Sequence, residues 1–383
     1  MTDASSRPLH IVLVGDYPAD PRLGSPRGLF KLRDEFTAVG HRVTLLLRDE
    51  LGGPHQRHAR DAIAPWLAAR AVRRITRSSG APDVIDASSA EGWLLGREGA
   101  ALVARSHGLE HLNYARMLDD ARYGLVRRPW YRRVWYPAVR MRLVAAAARK
   151  ADRLIVLNEG DRRFAAARGW KRPEEIDVVP QGIPAAFLAR PAVRRPERDL
   201  LFCGSWDRVK GIDYLAPAFA AVVRQRPGTT LTILGPGFPE SAVLETFDPG
   251  VRPLVRVIPR APEETVLAQY RAHRAFVQAS TFEGFGTVVI EAMAQGLPVI
   301  ATPVGAAATV VRDGETGLVA PPRDAAALAS AMLRALQDER LAQALGDRAA
   351  AEVAAGTWTE TARRTLDVYR RAIAMRLRPR AAA

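Results

Sequence analysis

The strongest constraint on the fold is an alternation of short apolar segments with segments of helical length, which runs through the chain twice. The apolar segments lie at 10–15, 41–47, 83–89, 101–108, 152–158 and 176–182, and then at 200–205, 229–237, 255–259, 275–280 and 298–303. Nearly continuous apolar runs of this length are typical of strands buried on both faces of a parallel sheet. The helical segments between them predict right-handed βαβ units. The sequence therefore predicts the α/β class, with two doubly wound, Rossmann-like domains.

Residues 183–199 interrupt the alternation. They contain three prolines and show no clear periodicity, so we expect a linker there. We predict an N-terminal domain over 1–190, completed by a C-terminal helix over 357–383 that crosses back to it, and a C-terminal domain over 197–356. Open parallel sheets bind ligands beyond the carboxyl ends of their strands, so we expect the two domains to face each other across a ligand-binding cleft.

Composition narrows the class of protein. Cys203 is the only cysteine, which excludes a disulfide within the chain, and no apolar run is long enough to span a bilayer. We therefore expect a cytoplasmic protein. The net charge is +15, but nearly all the basic residues are Arg, a bias typical of GC-rich genomes. The charge is thus weak evidence for nucleic-acid binding, and we expect none.

The stretch "STFEGFGTVVIEAMAQGLPVIAT" over 280–302 carries two acids, Glu283 and Glu291, eight residues apart. Glu283 lies in a glycine-rich turn, and a helix is predicted to begin near Gly286. The N–H groups at such a helix start favour phosphate, while carboxylates accept hydrogen bonds from neutral hydroxyls. A ligand with a diphosphate flanked by a ribose and a sugar fits this arrangement. The stretch therefore predicts a nucleotide-diphospho-sugar as ligand.

The same stretch resembles the E-x7-E motif of glycosyltransferase family 4, the retaining group 1 glycosyltransferases with the GT-B fold. Further segments agree with that family in order along nearly the whole chain: "RSHGLE" (105–110), "VVPQGIPAAF" (178–187), "FCGSWDRVKGIDYL" (202–215), "GLPVIATPVGA" (296–306) and "DGETGLVAPPRD" (313–324). The resemblance implies two Rossmann-like domains facing across a cleft.

The resemblance also implies roles for individual residues. Glu283 would hold the donor sugar near its anomeric carbon, and Glu291 would hold the ribose. Lys210 would neutralise the diphosphate, and His107 would act near the sugar and the acceptor. The remaining donor-binding positions that it implies are the backbone N–H groups of Gly284, Phe285 and Gly286 for the diphosphate and the segment with Ile258 and Arg260 for the base.

Two positions depart from the family pattern. Ser205 stands where the family has an Arg that binds diphosphate, and we expect Arg208 to take its place beside Lys210. The Gly-Gly loop of the acceptor side appears here as Gly24 followed by Ser25. Neither a metal-binding cluster nor a nucleophilic Ser or Cys with a partner base stands out. We therefore expect no cofactor and no metal, with the nucleotide-sugar as co-substrate.

Together these features predict a retaining glycosyltransferase. It would move a sugar from a UDP-, GDP- or ADP-linked donor to a hydroxyl of a sugar, lipid-linked or small-molecule acceptor, in the synthesis of cell-surface polysaccharide or glycolipid. Two alternatives remain open at this point. One is a nucleotide-sugar epimerase-like GT-B enzyme, and the other is a non-catalytic basic protein that binds a membrane surface.

Residues 122–150 carry nine basic residues, five aromatics and no acid. One interpretation is a solvated helical face whose aromatic side chains pack inward. The other is a patch for an anionic membrane surface, with aromatic residues at the interface: Trp130, Tyr131, Trp135 and Tyr136. The second interpretation predicts peripheral association with the inner face of the cell membrane.

Overall fold

A computed structural model describes residues 7–21, 23–54, 57–96, 99–122, 133–190 and 196–377. The chain divides into two compact units. The first comprises Met1–Gln181 with Trp358–Ala383, and the second comprises Gly182–Thr357. The chain thus enters the second unit at Gly182 and returns to the first at Trp358.

The first unit contains a sheet of six parallel strands. Its strands are β1 (His10–Val14), β2 (Arg42–Leu46), β3 (Val84–Ser88), β4 (Ala101–Arg105), β5 (Arg153–Val156) and β6 (Ile176–Val178). Their spatial order is β2-β1-β3-β4-β5-β6. The β1 side chains are buried on both faces of the sheet, as the apolar run predicts.

The helices of the first unit fill the connections between these strands. Those that precede the second unit are α1 (Gly24–Ala38), α2 (Arg48–Leu51), α3 (Arg57–Ser79), α4 (Glu110–Arg122), α5 (Met141–Lys150) and α6 (Glu159–Ala167). Short helical turns occupy Ser89–Leu94 and Pro173–Glu175, and a wider π turn at Tyr136–Arg140 leads into α5.

The second unit contains another sheet of six parallel strands. They are β7 (Arg198–Cys203), β8 (Leu231–Leu234), β9 (Val255–Ile258), β10 (His273–Gln278), β11 (Val299–Ala301) and β12 (Leu318–Val319). Their spatial order is β12-β11-β10-β7-β8-β9. The two-residue strand β12 was not predicted, because it is too short to form an apolar pattern of its own.

The helices of the second unit cover both faces of its sheet. They are α7 (Ala185–Leu188), α8 (Ile212–Gln225), α9 (Glu240–Leu244), α10 (Glu263–Ala272), α11 (Thr287–Ala294), α12 (Ala307–Val310), α13 (Ala325–Gln337) and α14 (Glu339–Val353). Single helical turns occupy Arg208–Lys210 and Arg252–Leu254.

The described part of the segment predicted as a linker, 183–199, is not a simple connection. It includes helix α7, and Phe187 of this helix is fully buried with its ring edge against Tyr270, 5.8 Å between centroids. The amide of Gln295 donates to the backbone carbonyl of Phe187. The expectation of a linker over this whole segment was therefore wrong. A helix of four residues is too short to show a periodic apolar pattern, so the sequence did not reveal that Phe187 anchors it.

The last helix, α15 (Trp358–Leu377), packs in the first unit, although it follows the second unit in sequence. Its inward face carries Leu366, Tyr369 and Ala372. The Tyr369 hydroxyl donates to Asp86 of β3 at 2.5 Å, and the same carboxylate accepts from Arg105 of β4. The helix is therefore joined to the middle of the first sheet by a buried polar cluster.

Each sheet contains a point at which successive strands turn from one side of the sheet to the other. In the first sheet this point lies between β1 and β3, and in the second it lies between β7 and β10. Loops diverge there at the carboxyl ends of the strands, which leaves room for a ligand. None of the described helices combines the length and the apolar composition needed to cross a bilayer.

Candidate functional site

Lys210 and Glu283 meet at the point of divergence in the second sheet. Lys210 ends the helical turn that follows β7, and Glu283 lies in the loop that follows β10. The Lys210 Nζ atom lies 2.7 Å and 2.8 Å from the two carboxylate oxygens of Glu283. Two residues that the sequence predicted for one site, 73 positions apart, are thus in direct contact.

Two further side chains hold the Glu283 carboxylate. Ser280 Oγ donates to its Oε1 atom at 2.7 Å, and Gln278 Nε2 donates to the same atom at 3.1 Å. The Glu283 side chain is only 7% exposed. Sequence reasoning missed Ser280 and Gln278, although polar residues at the end of a buried strand are a signal that could have identified them.

The ion pair fixes the charge of Lys210. Burial disfavours the ammonium form, but the facing Glu283 carboxylate outweighs burial and raises the pKa of Lys210 above its ordinary value. Lys210 is therefore protonated and ion-paired at the carboxyl end of β7, where its ammonium can contact an anionic ligand.

Two glycines allow the loops of this site to approach one another closely. Gly211, with φ +73°, follows Lys210, and a Cβ atom there would lie 1.9 Å from the carbonyl oxygen of Ala279. Gly305, with φ +59°, follows β11, and a Cβ atom there would lie 2.4 Å from the carbonyl oxygen of Phe285 and 2.7 Å from Glu283 Cβ. The loops after β7, β10 and β11 therefore pack at distances that only glycine permits.

Helix α11 begins beside Glu283. Gly284, Phe285 and Gly286 form its approach, and Gly286 adopts φ +86° at the N-cap position. The N–H groups of the first helical residues precede any intrahelical acceptor, so the helix start presents donors and the positive end of its dipole. This geometry can bind a phosphate, as the sequence predicts for residues 284–286.

Glu291 lies on the second turn of α11 and is buried, with 2% exposed. The Tyr270 hydroxyl donates to its Oε2 atom at 3.2 Å. Neither Glu283 nor Glu291 therefore extends into bulk solvent, as ordinary surface acids would. The ligand roles of both acids stay predictions.

The other predicted donor-binding residues lie on the neighbouring loops. Ser205 donates to Asp207 at 2.7 Å, and Arg208 approaches Asp213 at 3.7 Å with about half of its side chain exposed. The carbonyl of Ile258, at the end of β9, accepts from the Gly235 N–H group. Arg260 is exposed, and its guanidinium lies against Gly237.

The first unit contains a cavity of about 480 Å³ at the point of divergence of its own sheet. The cavity is lined by residues that follow β1, β3 and β4, among them Tyr17, Ser89 and His107, and by Ser25 of α1. His107 Nε2 lies 3.1 Å from Ser88 Oγ, and the Tyr17 ring stands edge-on to the imidazole at 5.5 Å. The sequence thus identified His107 and Ser25 within a larger polar cavity.

The His107 imidazole is neutral at physiological pH. Burial, aided by the nearby positive charge of Arg105, lowers the pKa of His107 to about 3. One ring nitrogen can therefore donate a hydrogen bond while the other accepts one, and the ring does not contribute a positive charge to the cavity.

A polar network that the sequence did not predict forms one wall of the cavity. Glu110 accepts from Tyr136 at 2.9 Å and from Arg140 at 2.8 Å and 3.1 Å, and Ser89 also donates to it. Burial disfavours the charge on Glu110, but Arg140 and the hydrogen bonds outweigh burial and lower the pKa of Glu110. Glu110, the acid at the end of the "RSHGLE" segment, was the sequence signal that could have identified this network.

This network corrects part of the membrane interpretation of residues 122–150. The membrane interpretation placed Tyr136 at an interface, and the other interpretation packed it inward; Tyr136 is buried, and Arg140 of the same segment is also buried. Both side chains are held by Glu110 inside the protein. Trp130 and Tyr131 lie outside the described residues.

Within the described residues, no group of three or more His, Cys, Asp or Glu side chains is arranged to hold a metal ion. The polar clusters described above instead combine acids with Lys, Arg, Ser and Tyr.

Two protein families match the chain. Residues 24–187 match the family described as Glycosyltransferase Family 4, and residues 197–338 match the one described as Glycosyl transferases group 1. A relative from Frankia alni, named D-inositol 3-phosphate glycosyltransferase, is 31% identical over 349 residues, which cover 84% of this chain and 83% of the relative.

Solved structures resemble the chain over almost its full length. Sucrose-phosphate synthase from Thermosynechococcus elongatus superposes with a TM-score of 0.74 at 23% identity, covering 96% of this chain and 100% of that protein. The Anabaena protein HepE, solved in complex with UDP and glucose, gives a TM-score of 0.67 at 16% identity, with 94% and 98% covered.

Proposed function

Because the chain belongs to the group 1 glycosyltransferases and has the GT-B fold, both as predicted from its sequence, we propose that it transfers a sugar with retention of configuration from a nucleotide-diphospho donor. The donor is UDP-, GDP- or ADP-linked, and the acceptor is a hydroxyl group. The observation that carries this proposal is the pairing of Lys210 with Glu283 beside the start of helix α11. An enzyme of this family needs a cation and a hydroxyl-binding acid at one place, and the second unit supplies both.

The second unit binds the donor in this proposal. The diphosphate accepts hydrogen bonds from the N–H groups of residues 284–286 and from the Lys210 ammonium. Glu283 accepts hydrogen bonds from the donor sugar, and Glu291 accepts from the ribose. The complex of HepE with UDP makes UDP-sugars the first donors to test.

Departure of the nucleotide is the step that this site assists. The bond between the anomeric carbon and the β-phosphate oxygen breaks while the acceptor oxygen forms its bond on the same face, and the acceptor proton passes to the departing phosphate oxygen. The leaving diphosphate gains negative charge, which Lys210 and the α11 amides stabilise. Glu283 stabilises the positive charge that develops on the sugar. Because these groups neutralise the leaving group, we propose that transfer needs no divalent cation.

The first unit binds the acceptor in this proposal, through the cavity that contains His107. The Frankia alni relative is named for an inositol 3-phosphate acceptor, so phosphorylated polyols belong in the first acceptor panel. Synthesis of cell-surface polysaccharide or glycolipid is the process that we propose, with peripheral attachment to the inner face of the membrane.

The test is sugar transfer by the purified full chain from a panel of UDP-, GDP- and ADP-sugars, assayed with a chelator present. Glu283→Gln keeps the shape of the side chain but removes its charge, so we expect a loss of about 10²–10³-fold in kcat. Glu245→Gln, an exposed acid of the same unit, is the matched control and should retain full activity.

Three outcomes would overturn the proposal. The first is that no nucleotide-sugar binds or reacts. The second is that the donor sugar is epimerised with no acceptor consumed, as the epimerase alternative predicts. The third is that Glu283→Gln transfers sugar as fast as the wild type.

A further inference from the structure

We infer that the cavity of the first unit receives a neutral, polyhydroxylated part of the acceptor, with Glu91 accepting a hydrogen bond from one of its hydroxyls, and that it does not receive a phosphate. This inference rests on the proposed function and specifies the acceptor class. It departs from the phosphorylated acceptor in the name of the Frankia alni relative. The argument comes from the charges that line the cavity.

Acidic and basic groups are equal in number in the described part of the cavity wall, and the Glu91 carboxyl, whose pKa is raised to about 7, is partly ionised at neutral pH. Among the described residues, four guanidinium groups and four carboxyl groups line it: those of Arg48, Arg60, Arg105 and Arg140, and those of Asp16, Asp61, Glu91 and Glu110. The one histidine of the lining, His107, adds no charge, since its pKa is lowered to about 3. A phosphate monoester would bring a charge of nearly two units into this wall.

Each of these guanidinium groups is already engaged. Arg140 donates to Glu110 through two nitrogens and to Ser89 at 3.1 Å. Arg105 donates twice to the buried carboxylate of Asp86, at 2.7 Å and 2.8 Å. Both groups already compensate buried carboxylates, so turning them toward a phosphate would weaken those ion pairs, which is costly in a protein interior.

The other two guanidinium groups of the described lining are also bound to protein acceptors. Arg60 is buried, and it donates to Asp16 at 2.5 Å and to the carbonyls of Gly52 and Arg48 at 2.8 Å and 3.2 Å. Arg48 donates to the side chain and to the carbonyl of Asp16. The four described guanidinium groups of the cavity are thus bound to protein acceptors, which disfavours their use as a site for an anion.

Glu91 differs from these paired acids. It is 1% exposed and lines the cavity, and the one hydrogen bond that the described side chains give to its carboxylate is a long one, 3.4 Å from Arg140. A buried carboxyl group needs hydrogen-bond donors, and the hydroxyl groups of a polyol supply them without adding charge. The Glu91 carboxyl therefore has capacity to accept a hydrogen bond from a ligand.

The backbone next to Glu91 supports the view that this wall is built for a ligand. Ser89 adopts φ +53°, in the left-handed region that residues other than glycine rarely occupy. Its hydroxyl bonds to both Glu110 and Arg140. Strained backbone of this kind is concentrated at binding and catalytic sites.

The test compares matched probes that differ only in a phosphate: myo-inositol with myo-inositol 3-phosphate, and methyl α-glucoside with its 6-phosphate. Binding to the full chain is measured by isothermal titration up to about 100 mM, in parallel with binding of a nucleotide-sugar. We expect saturable binding of at least one neutral probe and at least about ten-fold weaker binding of its phosphorylated counterpart. Glu91→Gln should weaken the neutral probe about ten-fold and leave nucleotide-sugar binding unchanged. Glu174→Gln, an exposed acid outside the cavity, should change neither.

The inference is overturned if a phosphorylated probe binds as tightly as its neutral counterpart, if no neutral probe saturates, or if Glu91→Gln binds like the wild type. The comparison of probes needs only the wild-type protein, so it tests the preference for a neutral acceptor even if the Glu91→Gln variant fails to fold. Nucleotide-sugar binding with no neutral acceptor would refute this inference alone. Failure to bind any nucleotide-sugar would refute the proposed function instead.

Discussion

Lys210 and Glu283 compensate each other's charge in an ion pair. The Glu283 side chain is almost fully buried, and that of Lys210 is partly buried. Burying either charge without the other would lower the free energy of unfolding. In the proposed reaction the diphosphate competes with Glu283 for the Lys210 ammonium. The acid would then be released from part of its ion pair when the donor binds, and it becomes available to the sugar hydroxyls. Ser280 and Gln278 keep its carboxylate in place during that exchange.

The Glu91 carboxyl should make stability depend on pH. Burial raises the pKa of Glu91 to about 7, although the charge of Arg140 acts against it; Glu110 and Asp16 add to the rise. The folded chain therefore keeps this proton to higher pH than the unfolded chain does, and the free energy of unfolding falls between about pH 4.5 and pH 7. The change is on the order of 1–3 kcal/mol.

Glu91→Gln removes this dependence. We expect the stability of the variant relative to the wild type to rise from pH 5 to pH 7 and then to level off, as measured by urea unfolding at each pH. Comparing the two proteins cancels other titrating groups, such as Asp161, whose pKa burial also raises to about 7. A stability difference that is constant over this range would show that Glu91 has an ordinary pKa.

At the scale of elements, the donor site depends on three loops that meet at glycines. Gly305 belongs to a loop that carries no predicted ligand contact, yet its backbone lies against Phe285 and Glu283. The backbone N–H group of Ala306 donates to the Phe285 carbonyl at 2.6 Å, which fixes the approach to helix α11. The loop after β11 is therefore a support for the acid and for the phosphate-binding turn.

Gly305→Ala should damage both stability and activity. The added methyl group must displace the Phe285 carbonyl and Glu283, and the left-handed backbone adds strain, so we expect a loss of at least about 2 kcal/mol in unfolding free energy. The value of kcat/KM should fall at least about ten-fold. Gly314→Ala is the matched control, because Gly314 has φ +73° but a Cβ atom added there would meet nothing within 4 Å, and the variant should lose only about 1 kcal/mol. Equal effects of the two variants would contradict the packing role of Gly305.

The elements were largely predictable, and the contacts between distant residues were not. Strands β1–β11 follow from apolar runs, whereas β12 has too few residues to form a pattern. Glu283 and Glu291 were identified by their spacing around a glycine-rich turn and a helix start, which local chemistry determines, whereas Lys210 was named only through the family resemblance. The network of Glu91, Glu110 and Arg140 depends on contacts between residues up to 49 positions apart, which no local pattern encodes.

At the scale of the whole molecule, the chain completes the first unit only with its last helix. Ile183 and Thr357 pair where the chain passes between the units, and helix α15 then fills a face of the first sheet. The fully buried Tyr369 joins this helix to Asp86 and, through that acid, to Arg105, two residues before His107. The C-terminal helix thus supports the strand end that carries part of the acceptor cavity.

Tyr369→Phe should destabilise the first unit without disturbing the second. Removing the hydroxyl takes one donor from the buried Asp86 carboxylate, so we expect a loss of about 1–3 kcal/mol. Nucleotide-sugar affinity should stay within two-fold of the wild type. Thr359→Ala, at the exposed start of the same helix, should cost less than about 0.5 kcal/mol. Unfolding in urea checks stability, and titration calorimetry checks affinity; a stability unchanged by Tyr369→Phe would contradict this role.

The most direct test of the central claim is hydrogen–deuterium exchange of the full chain with and without the nucleotide diphosphate that stabilises it best among UDP, GDP and ADP. The account predicts slower exchange in the loop at 204–211 and in the segment 280–291, because the diphosphate would be held by Lys210 and by the amides at the start of helix α11. Protection confined to other parts of the chain, with both of these segments unchanged at saturating nucleotide, would contradict it.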